Sequence, residues 1–99
     1  MERGIHEGVV MKSIIPGDVE YKCYLCQRTG KMQVHHCLHG IRRQAADEYG
    51  LTVHLCPICH TLLHDHGYND LFLEQTAQVT FERENCREDW MKIFGKSYL

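Results

Sequence analysis

The sequence predicts a small α+β domain, and three observations predict it. Two Cys-x-x-Cys pairs, Cys23 with Cys26 and Cys56 with Cys59, lie in a chain of 99 residues. Between them apolar and polar residues alternate with the period of strands. After them apolar residues recur with the period of helices. A chain this short buries only roughly 60–70% of the surface its unfolded form exposes, so its apolar core alone gives thin stability. The cysteine pairs supply a remedy, because each Cys-x-x-Cys turn points two sulfurs at one metal and two such turns close a tetrahedral thiolate shell. The expectation is one zinc-stabilised α+β domain with an N-terminal extension (1–20), a zinc core (21–67) and additional C-terminal helices (68–99).

Each element follows from its local pattern. Residues 8–15 read as a strand that the turn signal Pro16-Gly17-Asp18 stops. The first knuckle, Cys23 to Cys26, runs into a turn at Gln27-Arg28-Thr29-Gly30. Residues 31–38 alternate as a strand, with Gly40 to end it, and residues 41–49 read as a short helix stopped by Gly50. Residues 51–55 form a β-rich run leading into the second knuckle. After Cys59 the pattern turns helical: His60 and His64, four residues apart, share a face, while Leu62 and Leu63 face the core. Gly67 closes that helix and Asn69 caps the next. From Asp70 to about Asn85, Leu73, Thr76, Ala77, Thr80 and Phe81 make one stripe, with Glu74, Gln78 and Glu82 opposite. A last short helix sets Cys86, Trp90 and Ile93 in register with Phe94 beside them and Gly95 as its stop.

Six cysteines also suit a disulfide framework in a secreted domain, but four of them fall in Cys-x-x-Cys pairs, which suit a metal better. The first eight residues lack an apolar leader core and no run approaches transmembrane length, so the expected location is the cytoplasm, with no membrane partner. The formal net charge of −2 does not announce a nucleic-acid binder. Its distribution says more: residues 1–43 hold seven Lys/Arg against four Asp/Glu, and residues 44–99 hold four against nine. The basic excess surrounds the knuckle region as Lys22, Arg28, Lys31, Arg42 and Arg43, a set that can hold phosphates or simply form a solvated surface.

The histidines need a separate explanation. His35-His36 stands between the knuckles, and His60 and His64 follow the second one. In this order the stretch from Cys23 to His64 resembles the HNH, or His-Me finger, endonucleases of the zinc-knuckle-containing branch, small proteins of the kind carried by phages and mobile elements. The resemblance covers this stretch and leaves both ends outside it. It implies a ββα-metal, treble-clef-like core, hydrolysis of DNA phosphodiester bonds, and residence in a bacterial or phage-infected host cell. It also implies a structural Zn²⁺ on Cys23, Cys26, Cys56 and Cys59. His36 would be the general base, and His35 and His60 would hold a catalytic divalent metal. His64 would be a third ligand or a phosphate contact.

The chemistry asks for these residue types. An imidazole takes a proton from water near neutral pH, and a single Mg²⁺, Mn²⁺, Ni²⁺ or Zn²⁺ offsets charge on the departing oxygen. An imidazole shell favours the borderline transition metals. Neighbouring strand residues point to opposite faces, so His35 and His36 share a site only at a strand end or a distortion. The family's asparagine before the second knuckle is missing: the corresponding position is near Leu51, and no asparagine lies between Gly30 and Asn69. Thr52, His54 or a backbone carbonyl is left to orient the base.

Duller readings stand beside these. The four cysteines also fit a catalytically inactive zinc-finger module that binds nucleic acid or protein, or an interaction domain using its acidic C-terminal helices. His35 and His36 fit a polar strand surface, and His60 and His64 could complete a zinc shell in place of a cysteine. His39, His54 and His66 read as solvated or locally hydrogen-bonded, and Cys37 and Cys86 as core or half-buried thiols.

Overall fold

A computed structural model describes residues 12–99. The element order is β1 (Gln33–His36), a 3-10 turn (Gly40–Arg42), α1 (Arg43–Tyr49), β2 (Thr52–Leu55), α2 (Pro57–His66), α3 (Asp70–Glu84) and α4 (Arg87–Phe94). Among the described residues this is a small mixed fold of one two-stranded sheet and four α-helices. None of these helices is long and apolar enough to cross a membrane.

β1 and β2 pair antiparallel, with Gln33 opposite Leu55 and His36 opposite Thr52. Both strands are shorter than the apolar runs that announce them. The connection between them is a 3-10 turn continuing into α1, which Gly50 ends in the left-handed conformation at φ 72°. The outer edge of β2 is covered by Asp18 and the first knuckle. Asp18, whose side chain is 1% exposed, accepts the His54 backbone N–H at 2.7 Å and its Nδ1–H at 2.8 Å, and Tyr24 N–H donates to His54 O at 2.8 Å. Those bonds occupy the edge groups that another strand would use.

The strand expected over residues 8–15 is not formed over residues 12–15, and residues 8–11 lie outside the described residues. Residues 13–15 dock instead by single bonds, Ile14 N–H to Gly50 O at 2.9 Å and Ser13 Oγ–H to Thr52 O at 2.6 Å. The turn at Pro16-Gly17 then swings Asp18 into the ladder position.

The core lies between the sheet and the C-terminal helices. Leu38, Ala46, Leu51, Val53, Leu55, Leu73 and Ala77 are fully buried. An aromatic group joins α1, α3 and α4: Tyr49 to Phe81 at 5.6 Å between centroids, Phe81 to Trp90 at 5.5 Å, and Trp90 to Phe94 at 4.1 Å. Edge-to-face and tilted pairs of this kind add to the area they bury. Trp90 satisfies its indole N–H on Lys96 O at 2.7 Å.

Four side chains sit otherwise than the helical pattern predicts. Leu62, expected to face the core beside Leu63, is exposed, and Leu63 alone of the pair is buried. Gln78, expected opposite the apolar stripe of α3, is fully buried. The C-terminal tail folds over it: Gln78 Oε1 accepts Tyr98 N–H at 2.7 Å, and Nε2–H donates to Ser97 Oγ at 3.1 Å and Glu82 Oε2 at 2.8 Å. Cys86, expected on the apolar stripe, is exposed because it precedes α4 as its N-cap. Asn69 is left-handed at φ 68° and makes no side-chain cap to α3. Cys37 is fully buried, as expected of a core thiol.

Gln78→Met keeps the bulk and deletes the bonds to the tail. It is expected to cost about 1–3 kcal/mol in urea unfolding, the range for stranding a buried polar partner. A change near zero would mean that the tail contributes little to stability.

Candidate metal centre

The two knuckles meet across the start of the sheet. Cys23 and Cys26 lie in the turn before β1, Cys56 is the N-cap of α2, and Cys59 is in its first turn behind Pro57. All four sulfurs lie within 4.8 Å of one another, and the Cys26 and Cys56 sulfurs are 3.7 Å apart. A tetrahedral zinc with Zn–S bonds of about 2.3 Å needs sulfurs about 3.8 Å apart, so the spacing fits. In each knuckle the first sulfur accepts the amide of the second cysteine, Cys26 N–H to Cys23 Sγ at 3.5 Å and Cys59 N–H to Cys56 Sγ at 3.4 Å.

Ionisation within the cluster is uneven. Burial pushes the Cys23 thiol up, but the amides of Cys26, Cys56 and Leu25 and the Cys26 thiol outweigh it, leaving a value of about 6. Cys59 moves the other way, far above the ordinary thiol range, through burial and then hydrogen bonds with the Cys56, Cys23 and Cys26 sulfurs. Four sulfurs this close cannot all be thiolates unless a cation balances them. The set is a donor shell for a structural metal such as zinc. All six cysteines are free thiols, so no disulfide framework is present.

A second cluster is built from histidines, apart from the sulfurs. His35 points from β1 to the core side and is 3% exposed, with its Nε2 lacking any hydrogen-bond partner among the described residues. His60 and His64 rise from one face of α2, and the ligand nitrogens of all three lie within 4.8 Å of one another. Gln33 fixes the geometry of His60: its Oε1 accepts Nδ1–H at 2.5 Å, which leaves the Nε2 lone pair directed at His64 Nε2, 3.0 Å away. Burial, followed by the neighbouring His60, His39 and His64, brings His35 down to about 4, with Asp70 pulling the other way. Burial and then His64 lower His60 as well. Both imidazoles are thus held neutral, the form that coordinates a metal.

His36, the last residue of β1, turns the opposite way and rests its Nε2 2.6 Å from Asp47 Oδ1 of α1. The contact is a close polar approach rather than an aligned hydrogen bond, since Asp47 Oδ1 has no hydrogen-bond partner among the described residues. His35 and His36 nevertheless border one cleft of about 420 Å³, together with His39, Arg43, His60 and His64. A larger hollow, about 630 Å³, opens beside Lys12, Tyr21 and His54 and is lined by no residue of either cluster.

The predicted basic residues divide. Arg43 lines the histidine cleft, whereas Arg42 donates Nε–H to Phe94 O at 2.6 Å and ties α4 to the 3-10 turn. Lys22, Arg28 and Lys31 stand around the first knuckle, outside the cleft lining, with Lys22 in bridges to Val19 and Thr29. His54 is locked by Asp18, and Thr52 is buried, so neither holds the His36 ring. Sequence reasoning missed Gln33 and Asp47. The polar Gln33 at the start of β1 is visible in the sequence, but its partner depends on how α2 crosses the sheet.

Fold and site together define a small mixed α/β fold with four cysteines at metal-binding distance and a histidine cluster beside them. No protein-family model, curated protein or solved structure matches the chain.

Proposed function

We propose that the chain is a metal-dependent endonuclease of the HNH, or His-Me finger, type that hydrolyses DNA phosphodiester bonds around a structural zinc. One observation carries the reading: three imidazole nitrogens converge on a point separate from the sulfurs, and that of His35 is buried without a hydrogen-bond partner among the described residues. In this reading β1, β2 and α2 form the ββα-metal core of a treble-clef-like fold. His35, His60 and His64 hold a divalent cation, which when bound stabilises charge on the departing 3′-oxygen. His36 borders the same cleft and takes the proton from the attacking water. With Nε2 against Asp47, Nδ1 is the nitrogen left for that proton. Asp47 does the orienting work that the family gives to an asparagine. Arg43 receives a phosphate oxygen at the rim.

The test is plasmid cleavage by the zinc-loaded protein with and without added Mg²⁺, Mn²⁺, Ni²⁺ or Co²⁺. Cleavage is expected only with the added ion, because the two clusters are separate. Intact plasmid with all four ions would defeat the reading. The occupied Nε2 of His36 is the observation that favours the alternative, a catalytically inactive zinc-finger module. That module would bind DNA or protein with similar strength whether or not the second ion is present.

The two arginines give a finer prediction. Arg43→Ala is expected to weaken binding to all DNA sequences alike and to reduce the log–log salt slope by about 1. Arg42→Ala is expected instead to lower stability by about 1 kcal/mol through loss of the Phe94 bond. Equal effects on DNA affinity from both would place the phosphate contact elsewhere.

A further inference from the structure

We propose that His39, Asp70 and Glu74 form a further cation site, one imidazole and two carboxylates, that takes a divalent ion of the Mn²⁺ or Mg²⁺ kind. Their ligand atoms lie within 4.8 Å of one another, and all three residues are half-buried. They come from two elements. His39 sits in the bend between β1 and the 3-10 turn, while Asp70 and Glu74, four residues apart, share a face of α3. His39 Nε2–H donates to Asp70 Oδ1 at 2.5 Å.

That bond satisfies His39 and one oxygen of Asp70 until a cation takes the place of its proton, and it leaves Glu74 unexplained. The Glu74 carboxylate is half-buried beside a like charge, with no hydrogen bond or ion pair among the described residues. Burial pushes it up and Asp70 adds to the push, while His39, Lys96 and Arg42 pull it back. A divalent cation between the three groups balances both carboxylates at once. Three protein ligands leave further coordination positions for water.

The donor set differs from that of the neighbouring histidines. Oxygen-rich sites suit Mn²⁺ and Mg²⁺, whereas three imidazoles suit Ni²⁺, Co²⁺ and Zn²⁺. The two sites share a wall, since the His35 and His39 rings stand edge to face at 5.7 Å. The site stands whether or not the chain cleaves DNA.

The experiment titrates the zinc-loaded full chain with Mn²⁺ and, separately, with Ni²⁺, in the absence of DNA. Mn²⁺ is followed by its electron paramagnetic resonance. Glu74→Gln is expected to weaken Mn²⁺ binding at least about tenfold and to leave Ni²⁺ binding unchanged. His60→Ala combined with His64→Ala is expected to do the reverse, so failure of the histidine site is read separately. In the unsubstituted protein the spin-echo modulation of bound Mn²⁺ should report a single imidazole nitrogen donor. Three outcomes would overturn the proposal: no Mn²⁺ bound at about 1 mM, unchanged Mn²⁺ affinity in a folded Glu74→Gln, or modulation from two or more imidazoles. Zinc content and circular dichroism show whether the variant folds. Where it does not, the imidazole count on the unsubstituted protein decides.

Discussion

Stripping the metal from the four-cysteine cluster is expected to unfold the chain. The cluster joins the turn before β1 to the first turn of α2, so both ends of the hairpin lose their anchor together. Apparent folding energies for structural zinc run about 10–16 kcal/mol at neutral pH. Whole-domain stabilities run about 5–15 kcal/mol, so the loss is as large as everything the fold has. Metal analysis should find about one tightly held zinc per chain, and a strong chelator should abolish the cooperative thermal transition. A chelated, zinc-free protein with an unchanged melting curve would sink the prediction.

If the chain is the proposed endonuclease, His36→Ala is expected to lower DNA cleavage by about 10²–10⁴-fold, the usual contribution of a positioned general base. Zinc content, folding and DNA affinity should stay as they were, since the ring is half-buried at the cleft rim and outside both metal clusters. Asp47→Asn should do less, about 10–100-fold, because it acts through the orientation of His36. His60→Ala should leave the base in place and shift the divalent-ion requirement to higher concentration. Full activity in His36→Ala would move the base to another residue of the cleft.

Much of this arrangement was legible in the sequence, and the limits have physical causes. The knuckles could be read because two cysteines at fixed spacing must point the same way in a tight turn. His60 and His64 could be read because helical residues four apart share a face. The stop at Gly50 followed from the left-handed backbone it adopts. What escaped depends on register and on non-local contacts. Gln33 finds His60, and Asp47 meets His36, only once β1, α1 and α2 are packed. Gln78 reads as a solvent residue by periodicity, and only the returning tail buries it. Asp18 reads as part of a turn, yet its carboxylate takes the place of a strand at the edge of β2. The His39, Asp70 and Glu74 cluster joins a bend to a distant helix, and nothing in the sequence spacing links His39 to the other two.

Cys59 and His60 are adjacent residues in the opening turns of α2, one in the sulfur cluster and the other in the histidine cluster. This adjacency imposes an order of assembly. Until the sulfurs are gathered, the first turn of α2 has no fixed direction, and His60 and His64 cannot face His35. If both clusters take ions as proposed, filling the sulfur cluster raises affinity at the histidines, and by thermodynamic reciprocity an ion on the histidines tightens the hold on zinc. Loss of zinc from the sulfurs would then cost the proposed histidine site as well, without any direct competition for it.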